Sequence, residues 1–248
     1  MVMRSLAWLF TALTATPAIA SELPPMTWAE YHACKYNADQ TSDSVAEWTS
    51  RWNAWMNESG RDDYSAAVLS PLYRSPPATI DMLWVGATSS NEKMAIGQSQ
   101  WRNSDIYATW PATDCSISML ATQYLVGSPI PVDVMTNEMV IAYWFCSLED
   151  GATIQDVYLA HSATMKAGAE SGAVQESRII LPRQGVPAQF EQYDFMVSYI
   201  HPSMAQWGRN VDQVWLAGLV AEEQELAAQV FQCGSPVVYV GNIIRRAQ

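Results

Sequence analysis

Three histidines, His32, His161 and His201, are all the imidazoles this chain has, and no two stand at the spacing of a metal-binding pair. No metal site and no cofactor is identified from these residues. His201 is the most suggestive by position, in Ile200-His201-Pro202-Ser203, where an apolar run ends and a loop begins. The other residues that could do chemistry are two aspartates, each opening an apolar run: Asp81-Met-Leu-Trp-Val85 and Asp194-Phe-Met-Val-Ser198. A buried carboxylate is costly unless it is hydrogen-bonded or paired. Asp81 and Asp194 are therefore expected to cap turns at strand starts; facing each other in a wet pocket, one could instead act as a general base. Gly-x-Ser-x-Gly and phosphate-cradling glycine loops are absent, so no nucleophile constellation emerges. Asn57-Glu58-Ser59 matches a glycosylation acceptor, and Glu222, Glu223 and Glu225 read as the solvated face of a long final helix.

What positions these residues depends first on where the chain resides. Residues 1–20 read as a secretory leader: Arg4, an apolar stretch from Leu6 to Leu13, Pro17, then Ala18 and Ala20 around the expected cleavage site. Thr11, Thr14, Thr16 and Pro17 interrupt the stretch, which is too short to anchor in a bilayer, and no later segment is long and apolar enough to cross one. The expected destination is the periplasm or the extracellular space, where four cysteines are better read as paired than free. With 13 Lys+Arg against 25 Asp+Glu, the net charge of −12 argues against nucleic acid and anionic lipid as partners.

The chain repeats itself. Setting Glu58-Ser59-Gly60 on Glu170-Ser171-Gly172 also sets Cys34 on Cys146 and Val45 on Val157; one inserted residue later Asp81 meets Asp194, and further on Cys115 meets Cys233. Under this alignment His32 falls on Trp144, so whatever His32 does belongs to one half alone; drift is the favoured explanation, no partner residue being identifiable.

Each half reads strand, helix, strand, strand, helix, strand. First strands span Tyr31 to Tyr36 and Val140 to Ser147, and helices begin near Ser42 and Thr153. In the first helix Val45, Trp48, Trp52, Trp55 and Met56 recur at helical spacing, an apolar stripe better read as core than as a cofactor box. Second strands cover Tyr64 to Leu69 and Ser177 to Leu181, and last strands cover Ser116 to Leu120 and Val237 to Val240. This order is the ferredoxin-like βαββαβ arrangement. It divides the chain into module 1 at 21–124, a linker at 125–138 and module 2 at 139–248, an α+β fold. Its strand order sets the first and fourth strands side by side, which pairs Cys34 with Cys115 and Cys146 with Cys233. Such loops, of about 80 residues, contribute on the order of 4 kcal/mol in the chain-entropy account. Tyr193, Phe195, Val197 and Tyr199 alternate with Met196 and Ile200, so both faces of that strand are apolar and both are expected to be buried. One face meets helices; the other is expected to meet the sheet of the second module.

In element order and repetition the chain resembles the dimeric α/β-barrel superfamily, here as two fused units in a pseudo-dimeric barrel like that of chlorite dismutases. The resemblance implies an interior pocket of the kind that serves monooxygenases, haem-handling enzymes and small stress-response proteins. It points to His201 as a haem ligand by location, with Arg178 and Arg183 as candidate distal arginines. Three functions follow as expectations. The first is an exported envelope protein holding a small apolar or aromatic ligand in the barrel interior, with Tyr31, Trp84, Tyr143 and Phe195 as candidate lining. The second is a barrel-type oxidoreductase or monooxygenase, haem-linked through His201. The third is a structural or interaction module.

Overall fold

A computed structural model describes residues 23–73, 80–136, 138–212 and 218–247. The leader expected at 1–20 lies outside the described residues. The first half contains β1 (Thr27–Tyr36), α1 (Ser42–Glu58), β2 (Ser65–Tyr73), β3 (Met82–Thr88), α2 (Asn91–Arg102), α3 (Asp105–Ala108) and β4 (Ala112–Val126). The second contains β5 (Met139–Leu148), α4 (Ile154–Glu170), β6 (Glu176–Gln184), β7 (Phe195–His201), α5 (Met204–Asn210), α6 (Ala221–Ala227), β8 (Phe231–Cys233) and β9 (Val237–Arg245). No helix among the described residues is long and apolar enough to cross a membrane.

The halves start and stop their long helices by the same devices. Thr41 and Thr153 each stand at the N-cap of a capping box, with Ser44 and Asp156 reaching back. At the other end Gly60 and Gly172 take φ of 64° and 92°, and the amides of Arg61 and Ala173 return to the carbonyls of Met56 and Gly168. The repeated Glu-Ser-Gly is thus a helix stop, and glycine is there for its backbone.

All strand pairs are antiparallel, and β7, β6, β4, β1, β3, β2, β9 and β5 follow one another until β5 meets β7 and closes an eight-stranded barrel. β8 is added to the far end of β5. The expectation of two sheets packed face to face is corrected in one respect: their edges join. Leu120–Val126 of β4 pairs with Ser177–Gln184 of β6, and β2 pairs with β9, so backbone groups that would be open edges are satisfied across the halves. The inward faces do meet, in one core containing Ala29, Tyr31, Leu83 and Met119 with Met139, Ile141, Tyr143 and Met196. Outward faces lie under helices and form separate clusters in the two halves.

Disulfides join Cys34 to Cys115 and Cys146 to Cys233, each across neighbouring strands. Several strands run longer than expected, β1 starting at Thr27, β2 ending at Tyr73 and β9 ending at Arg245, and two further elements differ more. β4 runs for 15 residues, takes in Cys115 and continues to Val126, because its second part has β6 as a partner from the other half. The final helix is short: α6 ends at Ala227, and the chain turns at once into β8.

Candidate functional site

Alternation along β1 sends Ala29, Tyr31 and Ala33 into the barrel and Glu30, His32 and Cys34 outward, beneath the helices of the first half. There the sheet and helices do not close on each other. A cavity of about 500 Å³ lies between them, with Trp48, Trp52 and Trp55 of α1, Trp84 of β3, Trp101 of α2 and Trp110 as its aromatic wall. The α1 stripe is therefore core and cavity wall at once, since Trp48 and Trp52 are nearly fully buried.

The floor is polar and ordered. His32 Nδ1 lies 2.9 Å from Ser118 Oγ, and His32 Nε2 lies 3.4 Å from Glu30 Oε2. Tyr64 donates its hydroxyl to Glu30 Oε1, Gln98 donates its amide to Glu30 Oε2, and Trp84 Nε1 donates to the Tyr64 oxygen at 3.1 Å. Glu30 is 7% exposed. Burial alone would raise its pKa, yet the hydrogen bond and charge of His32, with the hydrogen bonds of Tyr64 and Gln98, bring it below the ordinary 4.5. Glu30 is a carboxylate, and burial followed by that carboxylate pushes the Tyr64 phenol well above its usual range. In a neutral ring, with Glu30 accepting on Nε2, Nδ1 is the lone pair toward the Ser118 hydroxyl.

Gly86 makes this floor possible. A Cβ there would fall 1.7 Å from the Tyr64 hydroxyl and 3.0 Å from Glu30 Oε1. The second half supplies the contrast at matching register. Glu30 faces Gly86 and His32 faces Trp84, whereas Ala142 faces Tyr199 and Trp144 faces Val197. There the Trp144 and Tyr199 rings are 5.0 Å apart, His161 sits edge-on to Tyr199, and Phe195, Val157 and Ile179 fill the rest.

The candidates named from sequence are distributed as follows. His32 lies in the cavity with Glu30 and Ser118, a partnership invisible in the linear sequence because β1 and β4 are some 86 residues apart there. Asp81 and Asp194 do not meet. Each accepts from a backbone amide, Tyr36 at 3.0 Å and Leu148 at 2.8 Å, while its own amide donates to Cys34 or Cys146. They clasp strand starts. Tyr31 and Tyr143 face the barrel interior, edge to face at 6.2 Å, beside a second cavity of about 430 Å³ that Arg178 also lines. Trp84 belongs to the outer cavity, and Phe195 is fully buried in the second half's core and lines neither.

His201 closes β7 in the second half. It is 2% exposed, its Nδ1 is 2.9 Å from Asn210 Nδ2, burial lowers its pKa to about 4, and it lines neither cavity. Arg178 is paired with Glu176 and lines the second cavity, and Arg183 donates to Thr122 at 2.9 Å. The residues present do not fit a haem at that place. Glu30, Tyr64, Gln98 and Ser118 went unnoticed in the sequence; the only signal there was His32 standing where its counterpart is Trp144.

No family model matches the chain, and no curated protein matches its sequence. Solved structures do match in fold. A candidate monooxygenase from Lactobacillus acidophilus NCFM aligns at a TM-score of 0.54 with 7% identity, over 89% of this chain and 95% of that one. An anthrone oxidase-like protein aligns at 0.53 with 12% identity, over 90% and 92%. Chlorite dismutase from Candidatus Nitrospira defluvii in complex with imidazole aligns at 0.50 with 7% identity, over 88% and 92%. At these identities the likeness is one of fold, and the fold is that of the dimeric α/β-barrel proteins.

Proposed function

We propose that this chain is an exported oxidoreductase of the monooxygenase kind, taking a small planar aromatic substrate into the tryptophan-walled cavity of its first half. The observation that carries the reading is the floor of that cavity: an imidazole oriented by a buried carboxylate, beneath aromatic walls suited to hold a flat ring. His32 Nδ1 takes a proton from an acidic C–H or phenolic O–H of the bound ring, with Ser118 as hydrogen-bond partner. The carbanion or phenolate that results is electron-rich and reacts with dioxygen. For a ring methylene the balance is CH2 plus O2 giving C=O plus H2O. Glu30 is a positioning residue, holding the tautomer and the ring plane of His32. The fold shared with proteins described as a monooxygenase and as anthrone oxidase-like agrees with this chemistry. The two halves are read as tandem ferredoxin-like modules, of which only the first keeps a site. The leader and the two disulfides support an oxidising compartment, periplasmic or extracellular.

Titration with 2-naphthol, followed by tryptophan fluorescence, tests the cavity. Quenching that saturates in the native protein and is lost in Trp84→Ala is the expected result. No saturable change would end the reading. Oxygen uptake with an anthrone as substrate, lowered on the order of 100-fold or more in His32→Ala, tests the base. The barrel interior supports a second binding reading, because Tyr143, Tyr31 and Arg178 line a cavity of about 430 Å³. Saturable naphthol binding that survives Trp84→Ala and disappears in Tyr143→Ala would favour it.

A further inference from the structure

The aromatic side chains around the first cavity do more than wall it: they form an unbroken series from its floor to the protein surface. Tyr64, 6% exposed, accepts a hydrogen bond from Trp84 Nε1 at 3.1 Å. Trp84 lies 5.5 Å from Trp110, Trp110 lies 6.0 Å from Trp101, and Trp101 lies 4.9 Å from Tyr107, which is 46% exposed. All are indoles or phenols, the side chains most readily oxidised by one electron among those without sulfur. From Trp84 outward each ring meets the next nearly edge to face, while Tyr64 is joined to Trp84 by the hydrogen bond. At the inner end Tyr64 already donates its proton to the Glu30 carboxylate, so loss of an electron from Tyr64 has an acceptor for the accompanying proton in place.

We propose that Tyr64, Trp84, Trp110, Trp101 and Tyr107 form a single-electron path between the cavity and the surface. The bound carbanion gives one electron to dioxygen, which leaves as superoxide; the carbon radical adds a second dioxygen to become a peroxyl radical, and this takes one electron from Tyr64 and becomes a peroxide anion. The Tyr64 proton passes to Glu30, leaving a neutral phenoxyl radical and a carboxylic acid. Electrons then step inward from Trp84, Trp110, Trp101 and Tyr107 in turn. When Trp84 refills Tyr64, the proton returns from Glu30. Tyr107 releases its own proton to water, and the radical left there is reduced by an external phenol or thiol, which supplies one hydrogen atom. The path keeps a stray radical from destroying the site. Its purpose rests on the oxidative reading above, but its existence can be tested without any substrate, so the two can fail separately.

The test uses the full mature chain carrying Ser118→Cys, labelled on that thiol with a ruthenium tris-bipyridyl photosensitiser; Ser118 is exposed, so the oxidant stands at the solvent edge of the cavity beside His32. After a flash with a one-electron quencher, a nitroso spin trap and peptide mapping locate the oxidised residue. The expected result is a trapped radical on Tyr107, with little on Tyr73, which is more exposed at 60% and outside the series. Trp110→Phe keeps the aromatic packing but removes the one oxidisable ring that links Trp84 to Trp101 among the described contacts. It should lower the Tyr107 yield tenfold or more and move the products to Trp84 and Tyr64. A Tyr107 yield unchanged by Trp110→Phe, or Tyr73 labelled as heavily as Tyr107, would overturn the proposal.

Discussion

At the scale of single residues the difference between the halves comes down to two cross-strand pairs, Glu30 with Gly86 and His32 with Trp84, against Ala142 with Tyr199 and Trp144 with Val197. Installing the second half's residue as His32→Trp should fill the first cavity. The expected result is loss of naphthol quenching with the thermal midpoint kept within a few degrees; retained saturable binding would show that the ligand sits elsewhere. Gly86→Ala is expected to be destabilising by about 1–3 kcal/mol, because the added methyl overlaps Tyr64 and must displace it. Urea unfolding of Gly86→Ala with and without Tyr64→Phe measures it, and since the methyl also meets the ring carbon that bears the hydroxyl at 2.4 Å, only part of the loss should be recovered. His32 was visible in the sequence as an odd residue in a repeated position. Its partners were not, because Ser118 and Gln98 are ordinary surface residue types until β4 and α2 bring them to the same floor.

At the scale of elements, the repeated motifs are the ones that start, stop or clasp. Thr153→Ala removes the side chain that accepts from the Asp156 amide and should cost about 1 kcal/mol, read as a shift in urea midpoint without a change of slope. Glu-Ser-Gly and the strand-opening aspartates were legible before any coordinates because local backbone geometry demands them. The length of β4 was not. Residues 121–126 pair with β6 of the other half and, as far as Gln123, with the start of β1 far back in the chain, so nothing local marks Gln123 or Thr122 as strand. The same holds for β8, three residues held to β5 beside the Cys146–Cys233 bridge, where the acidic run before it suggested a continuing helix. Sequence periodicity reports partners that are near in the chain, and these partners are distant.

At the scale of the whole molecule, the barrel is one closed hydrogen-bonded ring around a core shared by both halves, so neither half is expected to unfold alone. That couples acid titration in the second half to the cavity in the first. His161 and His201 are buried, and burial lowers both to about 4 from an ordinary 6.5. Between those two values an unfolded chain binds protons that the folded one refuses. Stability is therefore full above pH 6.5 and falls as the pH drops toward 4, by up to about 3 kcal/mol for each imidazole. Glu30, with its pKa below 4.5, adds its own loss only when the pH falls through its folded value. Thermal unfolding from pH 7.5 to 4 should show this decline, and His161→Gln should flatten it while lowering stability at neutral pH through the weakened Ser177 contact. First-half tryptophan fluorescence and amide exchange of β6 and β7 should lose their native signals at one common pH. Two separate midpoints would mean that the halves are held together more loosely than the shared ladders β4–β6 and β2–β9 imply, and a slope indifferent to His161→Gln would remove that imidazole as its cause.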